Sequence, residues 1–243
     1  MKYGLQMYTL RDLTENQMGN TLREVAGMGY EGIELAGFGN LTIDELAEEV
    51  KETGLSVISA HVGYQELINP DKWIQTAKRI GTSRITIPWM DHKMLTEDEI
   101  GETAGMLNDI TDRLESEGIE LSYHNHDYEF VDGRYDRLMQ KCPKLKFELD
   151  TYWVKFAGYN PIELMKKYSD RIVLVHLKDM LDKEKVVHED PNPVLMTGVM
   201  DTKGIINQAK KMGIPWGIVE MDKTVGDSLK AVRESLQNIL EIQ

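Results

Sequence analysis

The sequence predicts an α/β fold, a single-domain closed (β/α)8 barrel occupying residues 1–243, on three observations. Eight short runs of β-forming residues recur at near-regular spacing, with segments of helical periodicity between them. The turn after the first run, Thr9-Leu10-Arg11-Asp12, contains no glycine, whereas an open nucleotide-binding sheet needs a Gly-rich turn there so that phosphate can approach the backbone. No linker or low-complexity stretch divides the 243 residues, a length sufficient for one large core.

In chain order the expected strands are 4–8, 31–35, 56–60, 84–87, 120–123, 146–149, 172–175 and 217–220. Short parallel strands joined by helices imply right-handed crossovers. The helix at 41–53 has Asn40 and Thr42 as cap candidates, acidic residues early, and Gly54 as its stop. A longer helix at 95–117 is closed by Gly118, and Asn160-Pro161 opens 161–168 with proline in the first turn, where its missing N–H costs nothing. A helix at 202–212 stops at Gly213, and one at 227–242 follows the last strand. The final strand-to-strand interval, 45 residues, is the longest; its polar, proline-bearing stretch 179–199 is a candidate lid or substrate loop.

Lys and Arg number 28 against 41 Asp and Glu, a formal net charge of −13. Such a chain lacks the basic footprint that a polyanion requires, which argues against nucleic acid. With 41% hydrophobic and 28% charged residues, disorder, a collagenous repeat and a small disulfide scaffold are disfavoured. Cys142, the single cysteine, has no partner for an internal disulfide, which fits a reducing compartment. The apolar part of MKYGLQMYTLRD is too short and polar for a signal segment, and the most apolar run, IVLVHL at 172–177, is too short for a bilayer. A soluble, cytoplasmic protein without membrane partners is expected, and a homo-oligomer is compatible with the sequence.

In such a barrel the chemistry collects at the C-terminal ends of the strands. There the chain offers Gln6 and Tyr8, Glu34, His61, Pro88-Trp89, Tyr123-His124-Asn125-His126, Asp150, His176-Leu177-Lys178 and Glu220, in strand order. Packing does not readily explain ionisable groups at six of eight ends. His124, Asp150, His176 and Glu220 come from strands five to eight, where neighbouring strand ends can converge. Two imidazoles and two carboxylates suit one divalent ion such as Mn²⁺, Co²⁺, Zn²⁺ or Fe²⁺, with Mg²⁺ preferring more oxygen. Singly, each has an ordinary use: Asp150 can cap the next turn through Thr151, Glu220 can pair with Lys223, and the histidines can be satisfied core residues. Together at successive strand ends they read better as a metal site.

Smaller expectations attach to other residues. Lys178 shares a face with His176 and can bind an oxyanion or polarise a carbonyl, or pair with Asp179. Glu129 is a candidate acid/base or a loop charge, and His61 a hydroxyl or proton partner or a buried histidine. Trp89, Tyr152 and Trp153 can wall a sugar ring or simply pack. Arg11 can bind an anionic group or pair with Asp12 or Glu15. Gln6, Tyr8 and Glu34 complete the candidate substrate contacts.

The strings GLQMYTLRD at 4–12, YHNHDYEF at 123–130, ELDTYWVKFAG at 148–158, VHLKD at 175–179 and IVEMD at 218–222 occur together in one known group. Through them the chain resembles, over essentially its whole length, the sugar phosphate isomerase/epimerase proteins of the xylose-isomerase-like TIM-barrel superfamily. That superfamily includes ketose 3-epimerases, hydroxypyruvate isomerase, inosose dehydratase and endonuclease IV. The resemblance implies a divalent metal held, in the epimerases, by Glu, Asp, His and Glu from strands five to eight. Asp150, His176 and Glu220 match the last three. The first is replaced by His124-Asn125-His126, which departs from a Glu that is both ligand and proton-transfer base in the epimerases. The Tyr-His-x-His string is closer to inosose dehydratase, and shared parity leaves both His124 and His126 open as the ligand.

The expected activity is a metal-dependent sugar isomerase or epimerase working through an enediolate next to a metal-bound carbonyl. The alternative is a lyase or dehydratase acting on a keto-sugar or keto-inositol, since loss of a β-hydroxyl shares the first step. In either, Glu220 serves as ligand and base, His126 or Glu129 as second proton carrier, and Lys178 stabilises negative charge. Repair of abasic DNA fits poorly with six histidines and the acidic charge, and a sugar-binding barrel without turnover is the non-enzymatic alternative.

Overall fold

A computed structural model describes residues 1–242. Eight strands, β1 (Lys2–Gln6), β2 (Gly32–Leu35), β3 (Ser56–His61), β4 (Arg84–Ile87), β5 (Glu120–His124), β6 (Lys146–Asp150), β7 (Ile172–Leu177) and β8 (Trp216–Val219), form a closed parallel barrel in sequence order. Pairing of β1 with β8 closes it. The helices on its outside are α1 (Arg11–Met28), α2 (Ile43–Thr53), α3 (Tyr64–Leu67), α4 (Asp71–Ile80), α5 (Ile100–Glu115), α6 (Arg134–Lys141), α7 (Thr151–Phe156), α8 (Pro161–Lys167), α9 (Thr202–Lys211) and α10 (Ser228–Glu241).

Local chemistry accounts for the boundaries. Thr42 caps α2 through a reciprocal pair: its hydroxyl accepts the Glu45 amide, and the Glu45 carboxylate accepts the Thr42 amide. Gly54 ends that helix in the left-handed region at φ 71°. Two expectations are corrected. The first strand is Lys2–Gln6 rather than 4–8, because the Gln6 side chain accepts the Tyr8 amide and winds Met7–Leu10 into a 3-10 turn. The helix expected at 95–117 begins at Ile100; the Asp91 side chain instead caps a short 3-10 turn, His92–Leu95. The segment 178–201 carries no regular element, in keeping with a loop after β7.

The barrel wall separates two apolar clusters. Leu5, Ile33, Ile85, Leu121, Phe147, Val175 and Val219 belong to the large one shared with the helices, while Ile58, Leu174 and Ile218 form a small one by themselves. Gly4 and Gly32 stand opposite each other in register and leave room for Ile58: a Cβ on Gly4 would lie 2.2 Å from Ile58 Cδ1. Barrel interiors are usually filled by branched apolar layers. Here the next layer is polar, with the hydroxyls of Ser59, Thr86 and Ser122 linked in a chain at 2.7 Å per step. Gln6, Glu34, Glu148 and His176 are also fully buried, and contacts such as His176–Glu34 join strands that are not neighbours, which is possible only across the interior.

Candidate functional site

The strand ends bring four donors together. β5 ends in His124 and β6 in Asp150, His176 lies near the end of β7, and Glu220 directly follows β8. One donor atom from each lies within 4.8 Å of the other three. His176 Nδ1 is 2.6 Å from Glu220 Oε2, and His124 Nε2 is 3.5 Å from Asp150 Oδ2. Asp150 divides its oxygens between two tasks. Oδ1 accepts the amides of Tyr152 and Trp153 and so caps α7, while the buried Oδ2 makes no hydrogen bond of good geometry, although Lys178 Nζ is 2.9 Å away. Two imidazole nitrogens and two carboxylate oxygens, one of them the unsatisfied Asp150 Oδ2, fit a borderline divalent cation.

Glu220 pairs with His176 and Lys178 rather than with Lys223. Lys178 is fully buried and lies 2.9 Å from each of Asp150 Oδ2, Glu220 Oε2 and Asp222 Oδ2, not against Asp179. The Asp179 carboxylate instead accepts the amides of Met180, Gly198 and Met200, anchoring the β7–α9 loop.

A second tier lies beneath, and sequence reading missed its centre, Glu148. This carboxylate meets His61 Nε2 at 2.9 Å and His124 Nδ1 at 2.8 Å. The signal was present: in Glu148-Leu149-Asp150 the two acids are two residues apart and face the same side of a strand. Gln6 and Glu34 belong to this tier as well. Gln6 Nε2 donates to Glu34 Oε2 at 2.9 Å, and the same oxygen lies 2.7 Å from His176 Nε2. Both were expected to contact substrate; the structure places them fully buried beneath the cavity and outside its lining.

Burial and charge pull these groups in opposite directions. Burial pushes Glu220 up, but Lys178 and His176 outweigh it and hold its pKa well below the usual carboxylate range. Burial pushes His176 down, and Glu148, Glu220 and Glu34 more than reverse that. The same contest raises His61 to about 10, through Glu34 and Glu148. Asp150 is raised to about 6 by burial against the pull of Lys178 and His176. His126 is lowered to about 3 by burial and by Lys178.

A cavity of about 500 Å³ opens over the donors, walled by Tyr8, Arg11, His61, Trp89, His126 and Trp153, with His124 and Glu220 reaching into it. The four-donor set includes His124 and not His126, because β5 ends at His124. His126 stacks on Tyr128, with ring centroids 5.7 Å apart, and its buried Nδ1 has no hydrogen-bond partner among the described residues. Arg11 donates to the carbonyls of Tyr8 and Asp222 and lies over the Tyr8 ring, instead of pairing with Asp12 or Glu15. Tyr152 and Glu129, like Gln6, Glu34 and Lys178, stay off the cavity wall. Tyr152 is buried edge-on against Trp153. Glu129 is buried behind His126, where its carboxylate accepts the His126 amide and bonds the Tyr123 hydroxyl.

Residues 22–242 match the family described as xylose isomerase-like TIM barrel. An inosose dehydratase of Geobacillus kaustophilus (strain HTA426) is 26% identical over 187 residues, 65% of this chain; the match spans 61% of that relative's length. A sugar phosphate isomerase/epimerase from Parabacteroides distasonis ATCC 8503 superposes with a TM-score of 0.82 at 25% identity, covering 99% of this chain and 98% of that one. The IolI protein, in a structure with a bound zinc atom, superposes with a TM-score of 0.77 at 18% identity, covering 100% and 98%. No helix among the described residues is long and apolar enough to cross a membrane. By the span of the family match and its closed eight-stranded parallel barrel, the chain belongs to the xylose isomerase-like TIM-barrel family.

Proposed function

We propose that this protein is a divalent-metal-dependent lyase that dehydrates a polyhydroxylated ketone, either a keto-inositol or a keto-sugar. The observation that carries the reading is the donor set of His124, Asp150, His176 and Glu220 under the cavity, with a histidine where the epimerase pattern has its proton-transferring Glu. The similarity to an inosose dehydratase supports the same choice. His124, Asp150, His176 and Glu220 would hold a divalent ion such as Mn²⁺, Co²⁺, Zn²⁺ or Fe²⁺, which would supply Lewis-acid polarisation of the substrate carbonyl.

The chain's own groups do the rest. The His126 imidazole on the cavity wall takes the proton from the carbon next to the carbonyl. His61, which also lines the cavity and is not one of the four metal donors, delivers a proton to the hydroxyl that leaves the following carbon. One C–H and one C–O bond break, a C=C bond forms, and water departs. The Lys178 ammonium, between Asp150 and Glu220, stabilises negative charge on the substrate oxygen. Tyr8, Arg11, Trp89 and Trp153 supply the walls for the ring, and Glu129 fixes the turn that carries His126 through its amide.

The test is incubation of Mn²⁺-loaded protein with an inosose and a panel of ketoses in D₂O, followed by mass spectrometry and ultraviolet absorbance. Loss of one water with a new enone absorbance is expected, with a rate lowered about 100-fold or more in His126→Ala. Deuterium entering the recovered substrate or its isomer, with no loss of water, would favour isomerisation or epimerisation instead. That second reading draws on the likeness to the Parabacteroides distasonis protein over the whole chain.

A further inference from the structure

His124 and His176 each turn one ring nitrogen toward Asp150 and Glu220, and the other nitrogen downward onto a single carboxylate oxygen. His124 Nδ1 lies 2.8 Å, and His176 Nε2 3.0 Å, from Oε1 of Glu148. His61 Nε2 reaches the same oxygen at 2.9 Å. Glu148 is fully buried, and its other oxygen accepts from Thr86 Oγ1 at 3.5 Å. The strand pairing sets this height, because His124 of β5 is in register with Glu148 of β6, whereas Asp150 is in register with His176 of β7. In Glu148-Leu149-Asp150, one carboxylate therefore faces the donor set while the other lies one tier below it.

A neutral imidazole carries one N–H and one lone pair. Lone pairs on His124 Nδ1 and His176 Nε2 would face an anionic oxygen in a buried site with no proton between them. A proton on His124 Nδ1 is donated to Glu148, a proton on His176 Nε2 lies between Glu34 and Glu148, and the lone pairs are left on His124 Nε2 and His176 Nδ1. These are the nitrogens that lie beside Asp150 Oδ2 and Glu220 Oε2.

We propose that Glu148 is a positioning residue of the metal centre, a shared clamp that fixes the tautomer and ring orientation of both histidine ligands. The proposal rests on the metal-centre reading given above. At His176 the hydrogen bond of Nε2 is with Glu34 Oε2 at 2.7 Å, and Glu148 Oε1 lies 3.0 Å from the same nitrogen; among the described residues Glu148 is the one carboxylate that reaches the downward nitrogens of both ligands. The rival use of the same atoms is a second ion held by His61, His124, Glu148 and His176, four residues that also come within 4.8 Å of one another. With both sites filled, His124 and His176 would each have to coordinate through both ring nitrogens and hold no proton.

Zn²⁺, being diamagnetic, is the probe. Its affinity is measured by chelator competition for the full chain and for Glu148→Gln, which keeps the side-chain shape and a neutral acceptor. In parallel, ¹⁵N-histidine spectra of the zinc-loaded wild type read which nitrogen of each ring is protonated. The expected result is one zinc per chain, with protons on His124 Nδ1 and His176 Nε2. Glu148→Gln should bind zinc about 10- to 100-fold more weakly, with little loss of melting temperature in the metal-free state. Zinc bound through His124 Nδ1, two zinc ions per wild-type chain, or unchanged zinc affinity in Glu148→Gln would each overturn the clamp while leaving a metal centre in place. A wild type that binds no zinc would overturn the metal-centre reading, and the clamp with it.

Discussion

Glu129 offers a thermodynamic test of the turn that carries His126. It is fully buried, and burial pushes its pKa from an ordinary 4.5 up to about 7, even though the Tyr123 hydroxyl and the His126 amide favour the charged form. The folded state therefore binds this proton more tightly than the unfolded chain does. The resulting stability is fully present below pH 4.5 and is lost as pH rises through 7. Above that, the ionised carboxylate costs on the order of 3 kcal/mol relative to the acid. Glu129→Gln imitates the protonated side chain: its oxygen can accept the His126 amide and its NH₂ can donate to the Tyr123 oxygen. For a chain of this size 1 kcal/mol corresponds to roughly 2–4 °C in melting temperature. The variant should thus match the wild type near pH 5 and exceed it by about 6–12 °C at pH 8. Calorimetric scans in EDTA from pH 5 to 8 measure the difference curve, in which all other titrations cancel. Parallel curves, or a variant less stable than the wild type at pH 8, would refute the reasoning.

Three further outcomes are expected. The wild type should carry close to one metal ion per chain by metal analysis and gain melting temperature on adding Mn²⁺, and His176→Ala and Glu220→Ala should lose both. Asp150→Asn retains an oxygen to accept the Tyr152 and Trp153 amides, so it should weaken metal binding by at least about tenfold while the α7 cap survives; a collapsed metal-free melting temperature would show the cap to be the larger part of its role. Gly4→Ala should cost about 1–3 kcal/mol in denaturant titrations, because the new methyl meets Ile58 Cδ1, and Ile58→Val in the same chain should recover part of that loss.

Much of the architecture was legible in the sequence because it depends on local chemistry. Strand runs, helix caps such as Thr42 and stops such as Gly54 are set by residues within a few positions of one another. His124, Asp150, His176 and Glu220 each stand at or next to the C-terminal end of one of the strands β5 to β8, so their place in the sequence relative to those strands let them be named as a group. The errors at the ends of β1 and α5 came from side-chain caps, where Gln6 and Asp91 start 3-10 turns that periodicity does not reveal.

Parity gives the face but not the height, and height is what the closed barrel decides. His124 and His126 have the same parity, yet β5 ends at His124 and only that residue joins the donors. Glu148 and Asp150 also share parity, and strand register puts the first against His124 and the second against His176. A register shift between Ile33 and Glu34 sets β2 against β3, where Glu34 aligns with Ser59. Glu34 meets His176 across an interior that no neighbouring pair of strands defines. The regular spacing of eight strand runs, the helical segments between them and the glycine-free first turn thus determined the barrel and the strand ends that bear the candidate ligands, because each is read from residues close together in the chain. The polar tier beneath, and the carboxylates that hold the histidines, were decided only when eight staggered strands closed on themselves.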